Sequence, residues 1–207
     1  MALSGIFLMI FLLQHFIINI TSLFSEELFN SLSHFMGTNI LVQFVLQPIL
    51  IVGVLFHFIM GIFLDYQNRK ATKYEYLKEK GNLNSNWISR NMILSGVVIL
   101  AFLGLHFVDF WIPEIQYKYI DFLPEDPNRY YGELVHKFKS PLRVTLYCLA
   151  FVLLALHLLH GFTSSIKSMG LDKKNVEKVK LISYVYSVGI PIGFCLIAIY
   201  HYANKFV

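Results

Sequence analysis

The chain has 207 residues, of which 56% are hydrophobic and only 14% charged, against about 25% charged in a soluble domain. The shortage is concentrated in long stretches that carry no charge, which excludes a water-facing globular surface over most of the chain. The formal charge of +4 does not indicate a nucleic-acid binder, because the basic residues flank apolar stretches instead of forming one patch.

In chain order, the apolar stretches cover residues 2–23, 42–64, 89–112, 140–165 and 180–204. Asp65, Arg69 and Lys70 stop the second, and Pro113 ends the third. Each stretch has about the 20 residues that a spanning helix needs. Lipid offers backbone groups no partners, so each is expected to be helical. The reading is an all-α integral membrane protein, a five-helix bundle forming one domain over residues 1–207 with no appended soluble domain. Pro48, Pro141 and Pro191 read as lying near span ends or in first turns, where helices tolerate them. Cys148 and Cys195 fall inside spans and no CxxC or CxxCH occurs, so neither a disulfide framework nor covalently attached haem is expected.

Lysine and arginine set the expected direction. The second loop with its flanks holds Arg69, Lys70, Lys73, Lys78, Lys80 and Arg90, and the fourth holds Lys167, Lys173, Lys174, Lys178 and Lys180. The first loop has none, and the third mixes both signs. The two basic loops are expected in the cytoplasm, with the N-terminus inside and the C-terminus outside.

Of eight histidines, His15, His57, His106 and His157 lie deep in four different spans. Ionisable residues within a membrane are costly and are functional candidates by default. At 1.5 Å rise per residue, His15 lies roughly 20 Å and His106 roughly 25 Å from the inner ends of their spans, whereas His57 and His157 lie about 11–12 Å from theirs. The four fall into two layers, one pair near the outside and one nearer the inside. Two histidines at equal depth on different helices can take both axial positions of one haem iron, so two layers give two stacked haems. Gly61 follows His57 and Gly161 follows His157 by four residues, on the same helix face, where a glycine leaves room for a flat porphyrin. A neutral imidazole bonded to a neighbouring helix is the plainer reading of any one of them. Zinc would need one cluster instead of two layers. A proton relay would normally include embedded carboxylates, and Asp65 and Asp109 read as lying only at span ends. His160, one turn from His157, is the competing inner ligand, and His34, His136 and His201 read as structural.

Together, Met1-Ala2-Leu3-Ser4-Gly5 leading to His15, Phe56-His57-Phe58-Ile59-Met60-Gly61, Leu105-His106, and Leu156-His157-Leu158-Leu159-His160-Gly161 ending at Lys167-Ser168-Met169-Gly170 form an ordered set. In these motifs the chain resembles the five-helix, di-haem cytochrome b (b558-type) anchor subunit of succinate dehydrogenase/fumarate reductase, the succinate:quinone oxidoreductases. The resemblance implies two haems b, with His57 and His157 as iron ligands of the inner haem and His15 and His106 of the outer. It implies a flavoprotein with FAD and an iron–sulfur subunit on the cytoplasmic face of a bacterial inner membrane, in a complex that can dimerise. Electrons would pass between succinate or fumarate and a membrane quinone, menaquinone in this branch. A quinone site beside the outer haem is implied, with Asp109, His136, Glu26 and Glu27 as candidate partners at outer span ends. Trp87, Arg90 and Lys167, at inner span ends, are candidates for the inner haem's propionates, which need donors or cations. Some relatives carry a glutamate two residues before the fourth ligand, where this chain has Ala155. The competing readings are the cytochrome b anchor of a hydrogenase or formate dehydrogenase, and a small transporter or structural anchor without haem.

Overall fold

The computed structural model describes residues 1–71, 91–170 and 173–204. Among the described residues there is no strand, and five helices are long and apolar enough to cross a membrane: Ala2–Leu23, Val42–Lys70, Met92–Ile120, Pro141–Ser168 and Val179–Ala203. The chain is a multi-pass membrane protein. Its outward side chains fit that solvent: Leu3, Ile10, Val52, Ile59, Leu94, Leu142 and Leu181 are all exposed. Water would penalise each of them, whereas lipid does not.

We label the helices α1 (Ala2–Ile20), α2 (Glu26–Thr38), α3 (Gln47–Ala71), α4 (Met92–His106), α5 (Arg129–Phe138), α6 (Pro141–Ser168) and α7 (Lys173–Ala203). Helix α6 is central and packs on α1, α4 and α7; α1 also packs on α3 and α7, and α3 on α4. Ser140 caps α6 by accepting from the Arg143 N–H, and Pro141 occupies its first turn. The helix stops at Gly170, whose φ of 85° is the left-handed closing conformation that glycine takes at least cost.

Two helices run past the ends expected from composition. Helix α3 continues through the polar stop to Ala71, with Arg69 paired to Asp65 at 2.7 Å along its exposed flank. The third span continues beyond Pro113 to Ile120 through wide π turns at Phe107–Trp111 and Gln116–Ile120. The Ile112 N–H reaches back to the Phe107 carbonyl. A locally widened turn accommodates a proline that lacks its own N–H. Pro191 also departs from expectation: it is fully buried inside α7, not near an end. Membrane helices tolerate such a proline where neighbouring helices pack around the freed backbone.

Two short amphipathic helices sit in what reads as loop sequence. Ser25 caps α2 by accepting from the Leu28 N–H, and Glu26 and Glu27 occupy its first turn, where the helix dipole favours acid. Helix α2 packs on α5, and the Tyr131 N–H donates to Asn30 Oδ1 at 2.8 Å. Their apolar faces, through Phe29, Leu134 and Phe138, join the core formed with Tyr147, Phe151, Phe194 and Ile197 of α6 and α7. The tightest packing therefore lies at this capped end of the bundle, opposite Met1.

An ion cluster locks the capped end. Glu114 accepts from both Lys118 and Arg129, and Arg129 also donates to Glu133 at 2.6 Å. The guanidinium lies over the Tyr117 and Tyr130 rings, 4.1 and 4.4 Å from their centroids. Burial alone would lower the Arg129 pKa, but hydrogen bonds and charge from Glu114 and Glu133 outweigh it and raise it above the usual arginine value. Burial first, and Glu114 second, push Tyr130 up to about 12. Arg129→Met should lower stability by about 1–3 kcal/mol, because Glu114 loses a charged donor in a partly buried site. Thermal unfolding in detergent measures this, with Arg129→Lys expected between the two because one ammonium replaces a fork of donors. An unchanged melting temperature for Arg129→Met would contradict the role.

Candidate functional site

The four embedded histidines meet in twos. The ring centroids of His15 on α1 and His106 on α4 are 5.8 Å apart with planes at 84°. Those of His57 on α3 and His157 on α6 are 6.4 Å apart at 68°. Two imidazoles on opposite sides of one metal, each with a metal–nitrogen bond of about 2.0 Å and a ring radius of about 1.1 Å, hold their centroids roughly 6.3 Å apart. Both pairs lie close to that spacing, which is also that of an ordinary edge-to-face ring contact. Among the described residues no three His, Cys, Asp or Glu side chains converge as a metal cluster.

The His57/His157 pair lies at the Met1 end and is held by hydroxyls from neighbouring helices. Ser4 Oγ donates to the Met1 carbonyl at 2.9 Å and lies 3.1 Å from His57 Nδ1. Ser95 Oγ donates to the Met92 carbonyl at 2.9 Å and lies 3.0 Å from His157 Nδ1. A hydroxyl has one proton, and a serine that gives it to the carbonyl accepts from Nδ1–H. In that arrangement the free ring nitrogen is Nε2, one of the two through which an imidazole binds a metal. A Cβ at Gly5 would come 3.6 Å from His57 Cε1, and one at Gly96 3.8 Å from His157 Cε1. The space beside Gly61 and Gly161 holds the methyl tips of Met1 and Met92, at 3.7 and 3.9 Å from the added Cβ.

The His15/His106 pair lies nearer the capped end in an aromatic setting. Phe11 stacks on His15 and Phe102 on His106, and Phe194 and Phe110 flank them. Asn19 Nδ2 is 3.4 Å from both His15 ring nitrogens but bonds the His15 carbonyl at 2.8 Å. His106 keeps a buried ring nitrogen, Nδ1, with no hydrogen-bond partner among the described residues. An orphaned nitrogen of this kind asks for a ligand or another partner. The donor chemistry of both layers, paired imidazoles in an apolar bundle, fits haem iron.

One turn beyond His106, Asp109 corrects a sequence expectation. It lies inside the third membrane helix, not at its end, and its carboxylate is fully buried. The Tyr147 hydroxyl donates to Oδ2 at 3.0 Å, and Arg143 Nη1 is 3.3 Å from the same oxygen. Oδ1 accepts no hydrogen bond among the described residues and has Lys137 Nζ at 3.8 Å. The Tyr147 ring packs on His106 at 6.3 Å, so one side chain connects the carboxylate to the histidine layer. Of the other quinone candidates, His136 is exposed on α5, and Glu26 and Glu27 are exposed on α2. Lys167 is exposed in the last turn of α6, and Trp87 and Arg90 lie outside the described residues. His160 is half-buried on α6, and His201 is buried against Ser22 at 3.0 Å.

The roles of Ser4, Ser95, Lys137, Arg143 and Tyr147 were not singled out from sequence. A signal for the serines was present: Met1-Ala2-Leu3-Ser4-Gly5 is echoed by Met92-Ile93-Leu94-Ser95-Gly96, and a histidine follows each serine by eleven residues, at His15 and His106. With His57/Gly61 and His157/Gly161, this makes an internal repeat of two helix pairs. Compared with protein-family models, curated proteins and solved structures, the chain matches none.

Proposed function

We propose that the chain is the di-haem cytochrome b anchor of a succinate:quinone oxidoreductase in a bacterial cytoplasmic membrane. The observation that carries this reading is the stacking of two histidine pairs, each from two helices and each near the spacing that two imidazoles on one metal require. Haem, when bound, supplies reversible one-electron transfer. His57 and His157 would hold the inner iron, on the cytoplasmic side in this reading, and His15 and His106 the outer one. Lys167, with Arg90 and Trp87, would serve the inner haem's propionates. The dicarboxylate chemistry, with FAD and iron–sulfur clusters, belongs to soluble partner subunits.

Quinol oxidation releases protons with its electrons, and Asp109 is the group suited to take one. Its Oδ1 is buried, accepts no hydrogen bond among the described residues, and lies one turn from His106. Tyr147 and Arg143 fix the other oxygen, so that the carboxylate keeps its orientation while Oδ1 accepts a proton. Exposed His136, Glu26 and Glu27 at the same end can pass protons to water. The quinone, menaquinone in this reading, binds beside Asp109.

Purification of the native complex in mild detergent tests the assignment. Copurifying flavoprotein and iron–sulfur subunits with succinate:quinone activity are expected. A nickel or molybdenum subunit instead would assign the chain to a hydrogenase or formate dehydrogenase. Docking is further expected to use the basic cytoplasmic loops, since such charges steer association. Converting Lys73 and Lys78, which lie outside the described residues, together with Lys173 and Lys174 to glutamine should weaken copurification and its salt dependence. Undiminished association would show that these charges do not dock a partner.

A further inference from the structure

Serines in membrane helices commonly bond a carbonyl one turn back, which accounts for Ser4 on Met1 and Ser95 on Met92. It does not account for a second contact, from each serine to a histidine on another helix, occurring twice at equivalent places. Ser4 of α1 meets His57 of α3, and Ser95 of α4 meets His157 of α6, both at Nδ1. In each case the next residue is a glycine beside the same imidazole edge, where an added Cβ would lie 3.6 Å from His57 Cε1 and 3.8 Å from His157 Cε1. The contact is not a general feature of the histidines here. Ser22 bonds His201 through Nε2, and among the described residues neither His15 nor His106 has a hydroxyl partner at Nδ1.

We propose that Ser4 and Ser95 are a matched pair of positioning residues. Each holds one inner histidine as its Nδ1–H tautomer, so that His57 and His157 both offer an Nε2 lone pair to a single metal. The proposal rests on the di-haem reading. Its physical content is that an acceptor on Nδ1–H fixes the ring and raises its basicity as a ligand, and losing such a partner typically costs 10–100-fold in metal affinity. A more basic ligand favours the oxidised metal, so the serines should lower the potential of the inner haem. The outer haem, without such hydroxyls, should be indifferent to them.

The test uses the full chain purified in detergent, with haem retention and redox titration followed by visible and EPR spectra. Ser4→Ala and Ser95→Ala should each raise the inner haem's potential and weaken its retention about 10–100-fold, with the outer haem unchanged as an internal control of folding. Ser4→Thr and Ser95→Thr should restore both properties, and the isosteric valines should not. If the unaltered protein holds two low-spin haems, yet both alanine variants leave the inner potential and retention unmoved, the serine proposal is wrong and the di-haem reading stands. Rescue by valine, or equal disturbance of both haems, would reduce the serines to packing and overturn the proposal. A haem-free unaltered protein would overturn both.

Discussion

Replacing His157 with alanine is expected to remove one haem of two, or its low-spin spectrum, while His160→Ala keeps both. The two residues are one turn apart on α6, about 4.5 Å along the axis, so sequence spacing lets either reach the space between the helices. The structure separates their surroundings. The His157 ring stands 6.4 Å from His57 and has Ser95 at Nδ1. His160 is half-buried, and the ring that faces His57 is that of His157. An iron with one axial imidazole is no longer low-spin, so the change is qualitative, not graded. Pyridine haemochrome counts and the reduced-minus-oxidised spectrum of both variants measure it. Two intact low-spin haems in His157→Ala would overturn the inner pairing.

The second large effect concerns Asp109→Asn. The amide keeps the size of the carboxylate and an oxygen for the Tyr147 hydroxyl, but it accepts no proton at pH 7. Positioned acid–base groups contribute about 10²–10⁴-fold to rates. Haem reduction by a menaquinol analogue should therefore slow about 100-fold or more, whereas reduction by dithionite and the haem count stay unchanged. Arg143 and Lys137 are about one-third exposed, so water can solvate them when the anion is lost and the fold should survive. Normal quinol kinetics in this variant would remove Asp109 from the proton path.

The five membrane helices were legible because some 20 apolar residues in a row leave few alternatives, and the depth arithmetic set His57 level with His157. Other features required the structure. Proline is a good stop signal in water, so the continuation of the third span past Pro113 through two π turns was hidden, and with it the embedded position of Asp109. Pro191 was misplaced for a related reason: its tolerance depends on the helices packed around it. Helices α2 and α5 are short and mix charges with apolar residues, so they read as loop until their faces meet. The serine contacts depend on how α1 and α4 are rotated toward their neighbours, which spacing alone does not fix. The repeated Met-x-Leu-Ser-Gly segment is visible in the sequence, but only the fold sets each of its serines against an imidazole.

In the proposed reading the four embedded histidines hold two haems. A reduced-minus-oxidised visible spectrum of the gently purified protein, with haem extracted and counted per chain, tests it most directly. Two non-covalent, low-spin b-type haems per chain are expected. A preparation that is well folded and carries none, or only one, would contradict the account.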